Sequence, residues 1–559
     1  MKKLLALLLT TAMTITCLAG CGSKGTTDNT ADTAVEESAD DSADDSAADT
    51  DAEEATEVSD AEEATEVSDA AAQAIADRKA AAEESGEYEK VVVSFFDWTG
   101  APAGIDRINE ELSKHTRETL GLDVELLIID SAAYSEDIKL MLSSGEQVDL
   151  FSTCGPGYMT CVNNEYTMDL EEDGLLDTYG AGIKDIVRSE YLDACRVGGK
   201  LYGIPPVKDY AIQTAAICIG TEYLEGASVD LSQYSKDDLG YLKCSWDDID
   251  QIFAAIHEAF PDKIVYSTQD NMLTQGSCID NVGGDYFGAL LDPANSLTIE
   301  NTYESDTFKE WCERFYRWNQ AGYISGDALT DTTGASARIK SGAYMAMMAC
   351  GKPAYENQIS NECGRPMTVF DVGESFMSSS AVSSFPWCMN QNTEDPIAAM
   401  QVLEALYTDE VVANLACWGQ EGVEYVVNED TSINWADGVD ANTSEYFPNV
   451  LWLMPNQYAA HVWEGDPIDV GEQTAEFNDN CPNKSKALGF TWDNSDYAAE
   501  FTALQNAYKE YSGQVVYGFI EPEEGIKQLN EALKAAGLDT YMAAKQEALN
   551  EWAAENGVQ

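Results

Sequence analysis

The chain has 559 residues, long enough for more than one hydrophobic core. It carries 100 Asp and Glu against 31 Lys and Arg, a formal net charge of −69. A field of that sign repels phosphate backbones and anionic headgroups, which excludes nucleic acid as a partner and disfavours direct contact with anionic lipid.

The chain opens with Lys2 and Lys3, an apolar run from Leu4 to Ile15, and Leu18-Ala19-Gly20-Cys21. A positive start, a short apolar stretch and small residues before a cut predict a secretory signal over residues 1–20. The run is shorter than the roughly 20 apolar residues of a membrane span. Cysteine directly after Leu-Ala-Gly resembles the bacterial lipobox, which implies that Cys21 is lipidated. The expected location is then the outer face of the bacterial cytoplasmic membrane, extracytoplasmic and held by lipid alone.

Residues 21–88 are predicted to be a disordered acidic tether. They are nearly pure Ala, Asp, Glu, Ser and Thr, with a duplication of Asp51–Ser59 as Asp60–Ser68. Dense like charge with few large apolar groups cannot offset chain entropy, so the segment reads as extended, with at most a frayed helix over 70–84.

Composition changes at Tyr88. Val91–Phe96 reads as a buried strand, and Ile105, Ile108 and Leu112 recur at helical spacing. Val124–Ile129 is a second strand, Ile138, Met141 and Leu142 mark a helix, and Val148–Phe151 gives a third strand. That alternation predicts an α/β protein with mostly parallel sheets flanked by helices. Further along, Ser245 and Asp248 predict a capping box before the stripe Ile249, Ile252, Phe253 and Ile256. Asp395-Pro396 opens another helix, and Gly537 is expected just past the end of one.

Of the 14 cysteines, twelve lie between Cys154 and Cys481 without CxxC pairs or Cys/His ligand spacing, and only His115, His257 and His461 are present. Neither a metal site nor a thiol catalyst is predicted. Disulfides and buried thiols both remain open.

Gly199-Lys-Leu-Tyr-Gly-Ile-Pro205 resembles the GKxYGIP turn of family 1 extracellular solute-binding proteins. Ser341-Gly-Ala-Tyr-Met-Ala-Met-Met348 is similar to a strand of that family. Ala405-Leu-Tyr-Thr-Asp-Glu410 with Trp418-Gly-Gln-Glu-Gly-Val-Glu-Tyr425 resembles a pattern of its lipoprotein subgroup. The region from Gly489 on, with Leu533-Lys-Ala-Ala-Gly-Leu-Asp539, resembles that subgroup's distinct C-terminal part. Ala343 and Trp418 depart from the usual Lys and Tyr, and residues 228–244 look like an insertion.

The resemblance implies a two-lobed, type II periplasmic-binding-protein-like fold that closes on its ligand like a clam shell. Lobe 1 is expected over 89–208 plus 375–440, and lobe 2 over 209–374 plus 441–559. It further implies a monomeric, non-enzymatic, cofactor-free substrate-binding lipoprotein of an ABC importer, working with permease subunits. The implied ligand is a carbohydrate, expected to be an oligosaccharide. No nucleophile elbow, HExxH or P-loop occurs. The alternatives are the same fold binding a peptide or another metabolite, a secreted glycan-active enzyme, and a surface adhesin.

A sugar cleft needs aromatic faces for C–H surfaces and carboxylates or amides for hydroxyls. Ligands of open parallel sheets lie beyond the carboxyl ends of strands. Asp97 and Trp98 follow the first strand and Tyr158 the third. Asp209 and Tyr210 follow the Gly-Ile-Pro turn at the expected hinge, and Trp387 falls where the chain should cross back. Trp418 and Glu421 come from the subgroup pattern, and Asp285 and Tyr355 are lobe 2's expected contributions.

Overall fold

The computed structural model describes residues 57–97, 101–268, 272–331, 333–440, 443–448 and 450–558, with side chains from residue 69 onward. Cys21 and the expected signal lie outside them.

Strand β1 (Glu89–Asp97) pairs in parallel with β2 (Leu122–Asp130) along its whole length, from Glu89↔Leu122 to Asp97↔Asp130. It also pairs in parallel with β3 (Leu150–Ser152). From Val91 onward β1 is buried at every position, because both faces of a central strand are covered; β2, at the edge, alternates buried and half-buried residues. Helix α1 (Glu57–Ser85) precedes this sheet, and α2 (Ile105–Thr119) and α3 (Tyr134–Ser144) connect its strands.

The second sheet is built on β4 (Ile212–Gly220). The strands β5 (Leu242–Lys243), β6 (Ile264–Tyr266), β7 (Tyr344–Gly351), β8 (Met367–Asp371) and β9 (Ser375–Met377) follow in chain order. β4 is antiparallel to β7, β8 and β9, while β6 runs parallel to β7. Helices α4 (Trp246–Ala259), α5 (Asp306–Gln320) and α6 (Tyr355–Cys363) belong to this lobe. The chain then returns as β10 (Trp387–Met389), antiparallel to β3. Next come α7 (Pro396–Thr408), α8 (Glu410–Trp418), α9 (Val470–Asp479) and the short β11 (Asn483–Lys484), which joins β9. Helices α10 (Ala498–Val516), α11 (Pro522–Ala535) and α12 (Leu538–Glu555) complete the chain.

Local signals act as read. The Ser245–Asp248 capping box is formed in both directions, at 3.2 and 2.8 Å. The Asp395 side chain caps α7 at Ala398 N (3.0 Å), ahead of Pro396. Gly537, at φ +103°, separates α11 from α12.

Two main cores define the lobes. One gathers Val93, Phe151, Trp387, Leu403, Tyr446 and Met454. The other gathers Ile217, Phe253, Trp318, Met348, Leu529 and Tyr541. Tyr446, Val450, Leu453, Met454, Ala460 and Cys481 all pack in the first core. This corrects the expected boundary: most of the stretch from 441 to 481 goes with lobe 1, because its apolar residues lie beside α8 and β10. The tether expectation also needs correction at its C-terminal end, where α1 is docked on lobe 1. Arg78 Nε donates to Leu120 O (3.4 Å), Lys79 Nζ to Glu118 O (2.6 Å), and Gln401 Nε2 to Ala71 O (3.1 Å). Gly121 (φ +74°) allows this approach, since a Cβ there would come within 2.8 Å of the Lys79 side chain.

All twelve cysteines from Cys154 to Cys481 are free thiols. Burial pushes the thiols of Cys161 and Cys350 up to about 12, which suits inert packing groups. Among the described residues no helix is long and apolar enough to cross a membrane, and no group of His, Cys, Asp and Glu is arranged to hold a metal ion.

Candidate ligand-binding site

Strand direction decides where a ligand can meet both lobes. The carboxyl ends of β1, β2 and β3 lie together, and antiparallel pairing brings the amino end of β10 to the same end (Trp387↔Ser152). In lobe 2 the carboxyl ends of β7, β8 and β9 surround the amino end of β4, where Gln213 faces Gly351 and Ser375. The chain enters β4 straight from the Ile204–Ala211 segment, so this end of the second sheet borders the crossings. Asp280, fully buried in lobe 2, braces the turn after β9 by accepting from Ser379 N (2.8 Å) and Ser379 Oγ (2.9 Å).

At the lobe 1 end stands an aromatic wall. Trp452 lies 5.8 Å from Phe96 at the end of β1 and 5.7 Å from Phe385, the latter ring turned by 88°. Lys208 Nζ sits 4.7 Å above the Phe385 ring, within cation–π range. Phe385 is held by its neighbour: Thr153, just past β3, donates its N–H (3.0 Å) and its hydroxyl (3.1 Å) to Pro386 O. Phe385 and Trp452 are half-buried, so each offers ring surface while its backbone is fixed.

Polar groups reach across between lobes. Lys352, just past β7, lies 3.6 Å from Asp209 in the crossing. Asn357 of α6 donates to Asp466 of lobe 1 at 2.6 Å. Burial, the largest influence, raises the Asp466 carboxyl above its ordinary range, while Asn357 and Lys352 oppose it. Beside the crossing, Gln213, Asp237, Lys243, Asp371, Ser375 and Glu476 line a groove of about 450 Å³. Burial first, then the adjacent Asp237 carboxylate, pushes Asp371 up to about 6, although Gln213 donates to it at 2.6 Å. The groove therefore offers hydroxyl acceptors, and Asp371 among them changes its charge in mildly acidic solution.

The residues expected from sequence divide sharply. Asp97 closes β1 at the wall and is buried, and Trp98 lies outside the described residues. Asp209 is half-buried in the crossing, opposite Lys352. Glu421 is exposed on a different surface groove of lobe 1, with His115 and His461. The other six are packing positions. Tyr158 is buried and donates to Cys195 O. Tyr210 is buried and donates to Pro206 O (2.5 Å). Asp285 accepts from Tyr541 OH (2.8 Å) and pairs with fully buried Lys545 (3.1 Å). Tyr355 is buried in a satellite core with Tyr241 and Ile359. Trp387 is fully buried against Phe95 (4.9 Å) and donates to Leu453 O (2.9 Å). Trp418 is buried and donates to His461 O (2.9 Å). Five of them spend a polar side-chain atom inside their own lobe, and Tyr355 is taken up by burial. Sequence reasoning missed Phe385 and Trp452. Phe385 stands two residues before the chosen Trp387, in the bend ahead of β10, so strand alternation does not fix its face and only packing from distant segments leaves it half-buried.

Residues 486–554 match a family model described as a domain of unknown function, DUF3502. Over 464 residues the chain is 21% identical to a carbohydrate ABC transporter substrate-binding protein of Streptococcus pneumoniae, covering 82% of this chain and 89% of that protein. The N-glycan transport solute-binding protein NgtS of S. pneumoniae has a similar structure, with a TM-score of 0.70 at 19% identity over 83% of this chain and 98% of NgtS. Its complex with Man5GlcNAc gives 0.59, at 19% identity over the same shares. The S. pneumoniae substrate-binding protein FusA in complex with kestose gives 0.54 at 14% identity, over 83% of this chain and all (100%) of FusA. The chain therefore has the fold of the extracellular solute-binding proteins and a sequence relative among carbohydrate ABC transporter substrate-binding proteins, as its motifs predict.

Proposed function

We propose that this protein is the lipid-anchored, extracytoplasmic substrate-binding component of an ABC importer, and that it captures a neutral oligosaccharide between its two lobes. The observation that carries the reading is the half-buried Phe385–Trp452 pair at the carboxyl end of the lobe 1 sheet, with Lys208 of the 204–211 crossing over the Phe385 ring. Such rings cover the C–H face of a sugar, while the Asp371–Asp237 groove and the Lys352–Asp209 pair supply hydrogen bonds to hydroxyls. Asp97 continues the wall at the end of β1. The complexes of NgtS with Man5GlcNAc and of FusA with kestose support the same ligand class. Cys21 supplies the anchor, and the acidic stretch before α1 supplies reach from the membrane.

Thermal-shift measurements across neutral oligosaccharides, peptides and uronates test the ligand class, since a ligand that binds only the native state raises its stability. A neutral glycan should raise Tm without being hydrolysed, and Trp452→Ala should weaken it by about tenfold or more. A peptide that stabilises where no glycan does, or release of reducing sugar, overturns the proposal.

A further inference from the structure

A second aromatic group lies at the same end of lobe 1, outside the wall. Helices α2 and α8 run antiparallel. His115, near the end of α2, meets Asp409, the N-cap of α8, at 2.7 Å. Arg107, in the first turn of α2, meets Gln420 and Glu424, just past α8, each at 3.1 Å. Because α2 starts shortly after the carboxyl end of β1, Trp418 at the end of α8 is at the wall's end of the lobe.

Three extended segments then place aromatic rings together. Residues 425–427 pair with 433–435, and Ile433 bridges to Trp463. Trp435 and Trp463 consequently sit side by side, 4.7 Å between ring centres, with Phe447 4.9 Å from Trp435. Trp418 lies beneath, stacked on Phe447 and edge-on to Trp463. The outer three differ from a packed core. All are half-buried, and among the described residues the indole N–H groups of Trp435 and Trp463 meet no protein acceptor, whereas those of Trp387 and Trp418 each bond a carbonyl at 2.9 Å. Ring faces flanked by open N–H donors, with exposed Asn434 and Glu464 beside them, suit a hydroxylated, C–H-rich surface. Continuity with the wall is built into the chain: Phe447 precedes Trp452 by five residues, a reach of about 18 Å at most.

We propose that Trp435, Phe447 and Trp463 form a distal carbohydrate platform, which takes an outer sugar of a glycan whose inner residue lies against Phe385 and Trp452. The inference rests on the carbohydrate reading above and specifies it: the ligand is an oligosaccharide of several residues, and affinity rises with its length.

The test is titration calorimetry of the full soluble chain with two-residue and six-residue oligosaccharides derived from mannan, starch, xylan and inulin. The unaltered protein should bind a six-residue glycan tighter than its two-residue counterpart. In Trp435→Ala/Trp463→Ala that preference should fall by about tenfold or more. Since Trp463 also packs on Trp418, Trp435→Gln serves as the milder variant, with a matched thermal melt of the unliganded protein. If no glycan of either length binds the unaltered protein, the carbohydrate reading itself fails. If a glycan binds but the length preference is missing, or persists in folded variants, the platform fails while the cleft reading stands. Loss of import with an intact length preference would assign these rings to a permease contact and overturn the proposal.

Discussion

Replacing Asp285 by Asn separates a structural role from a binding one. Lys545 is fully buried on α12, and Asp285 is only 8% exposed. The ammonium donates to Asp285 Oδ1 (3.1 Å) and to the carbonyls of Asn281 (3.2 Å), Asp285 (3.2 Å) and Gly288 (3.0 Å), so one side chain gathers the loop from 281 to 288. Burial draws the Lys545 ammonium below its ordinary pKa, and the Asp285 carboxylate opposes that loss. Asp285→Asn keeps the shape and the Phe287 N–H acceptor but removes the countercharge. Breaking a buried pair from one side costs about 3–5 kcal/mol, because the remaining charge is left without compensation. At about 2–4 °C per kcal/mol for domains of about 150–250 residues, the expected fall in Tm is about 6–20 °C. Lys545→Met should cost a similar amount, and the double variant Asp285→Asn/Lys545→Met should recover part of the loss, the coupling that a double-mutant cycle isolates. Circular-dichroism melts at pH 7.5 measure all four proteins. An Asp285→Asn variant that melts with the parent but no longer binds glycan would refute the structural assignment and restore Asp285 to the binding surface.

Glu362, 8% exposed on α6, has its carboxyl pushed up to about 6 by burial, with Gln358 and Lys352 opposing. A carboxyl raised in the folded state costs stability above that pH and costs nothing below its ordinary value of 4.5, where both states are protonated. Glu362→Gln should therefore be more stable than the parent by up to about 2 kcal/mol at pH 7.5, with the gap closing as pH falls from about 6 to about 4.5; a gap constant over that range in urea titrations contradicts the assignment. Asn357→Asp sets a second carboxylate against Asp466 across the lobes, and each kcal/mol of repulsion shifts an open–closed ratio about fivefold. Small-angle scattering should show a larger radius of gyration at pH 7.5 than for the parent, and an unchanged radius means that this contact does not hold the lobes.

Local features were legible in the sequence. The nearly continuous apolar run of β1, interrupted only by Ser94, announced a strand covered on both faces, and β2 alternates because it is an edge. The Ser245–Asp248 box and the Asp395-Pro396 start fixed helix ends within a few residues, since capping is settled between near neighbours. Aromatic positions were harder. Trp387 and Phe385 are two residues apart, yet one is fully buried and the other half-buried.

By itself the sequence determined the strand–helix alternation, the helix caps, the acidic stretch and the motifs of a two-lobed binding fold, all of which depend on residues close together in the chain. Only the tertiary structure decided that Trp452 meets Phe96 and Phe385, that Asp285 serves Lys545, and that α1 lies on lobe 1. The physical reason is that exposure and hydrogen-bond pairing belong to the segments that arrive from far along the chain, and no residue's own neighbourhood states which segment will cover it.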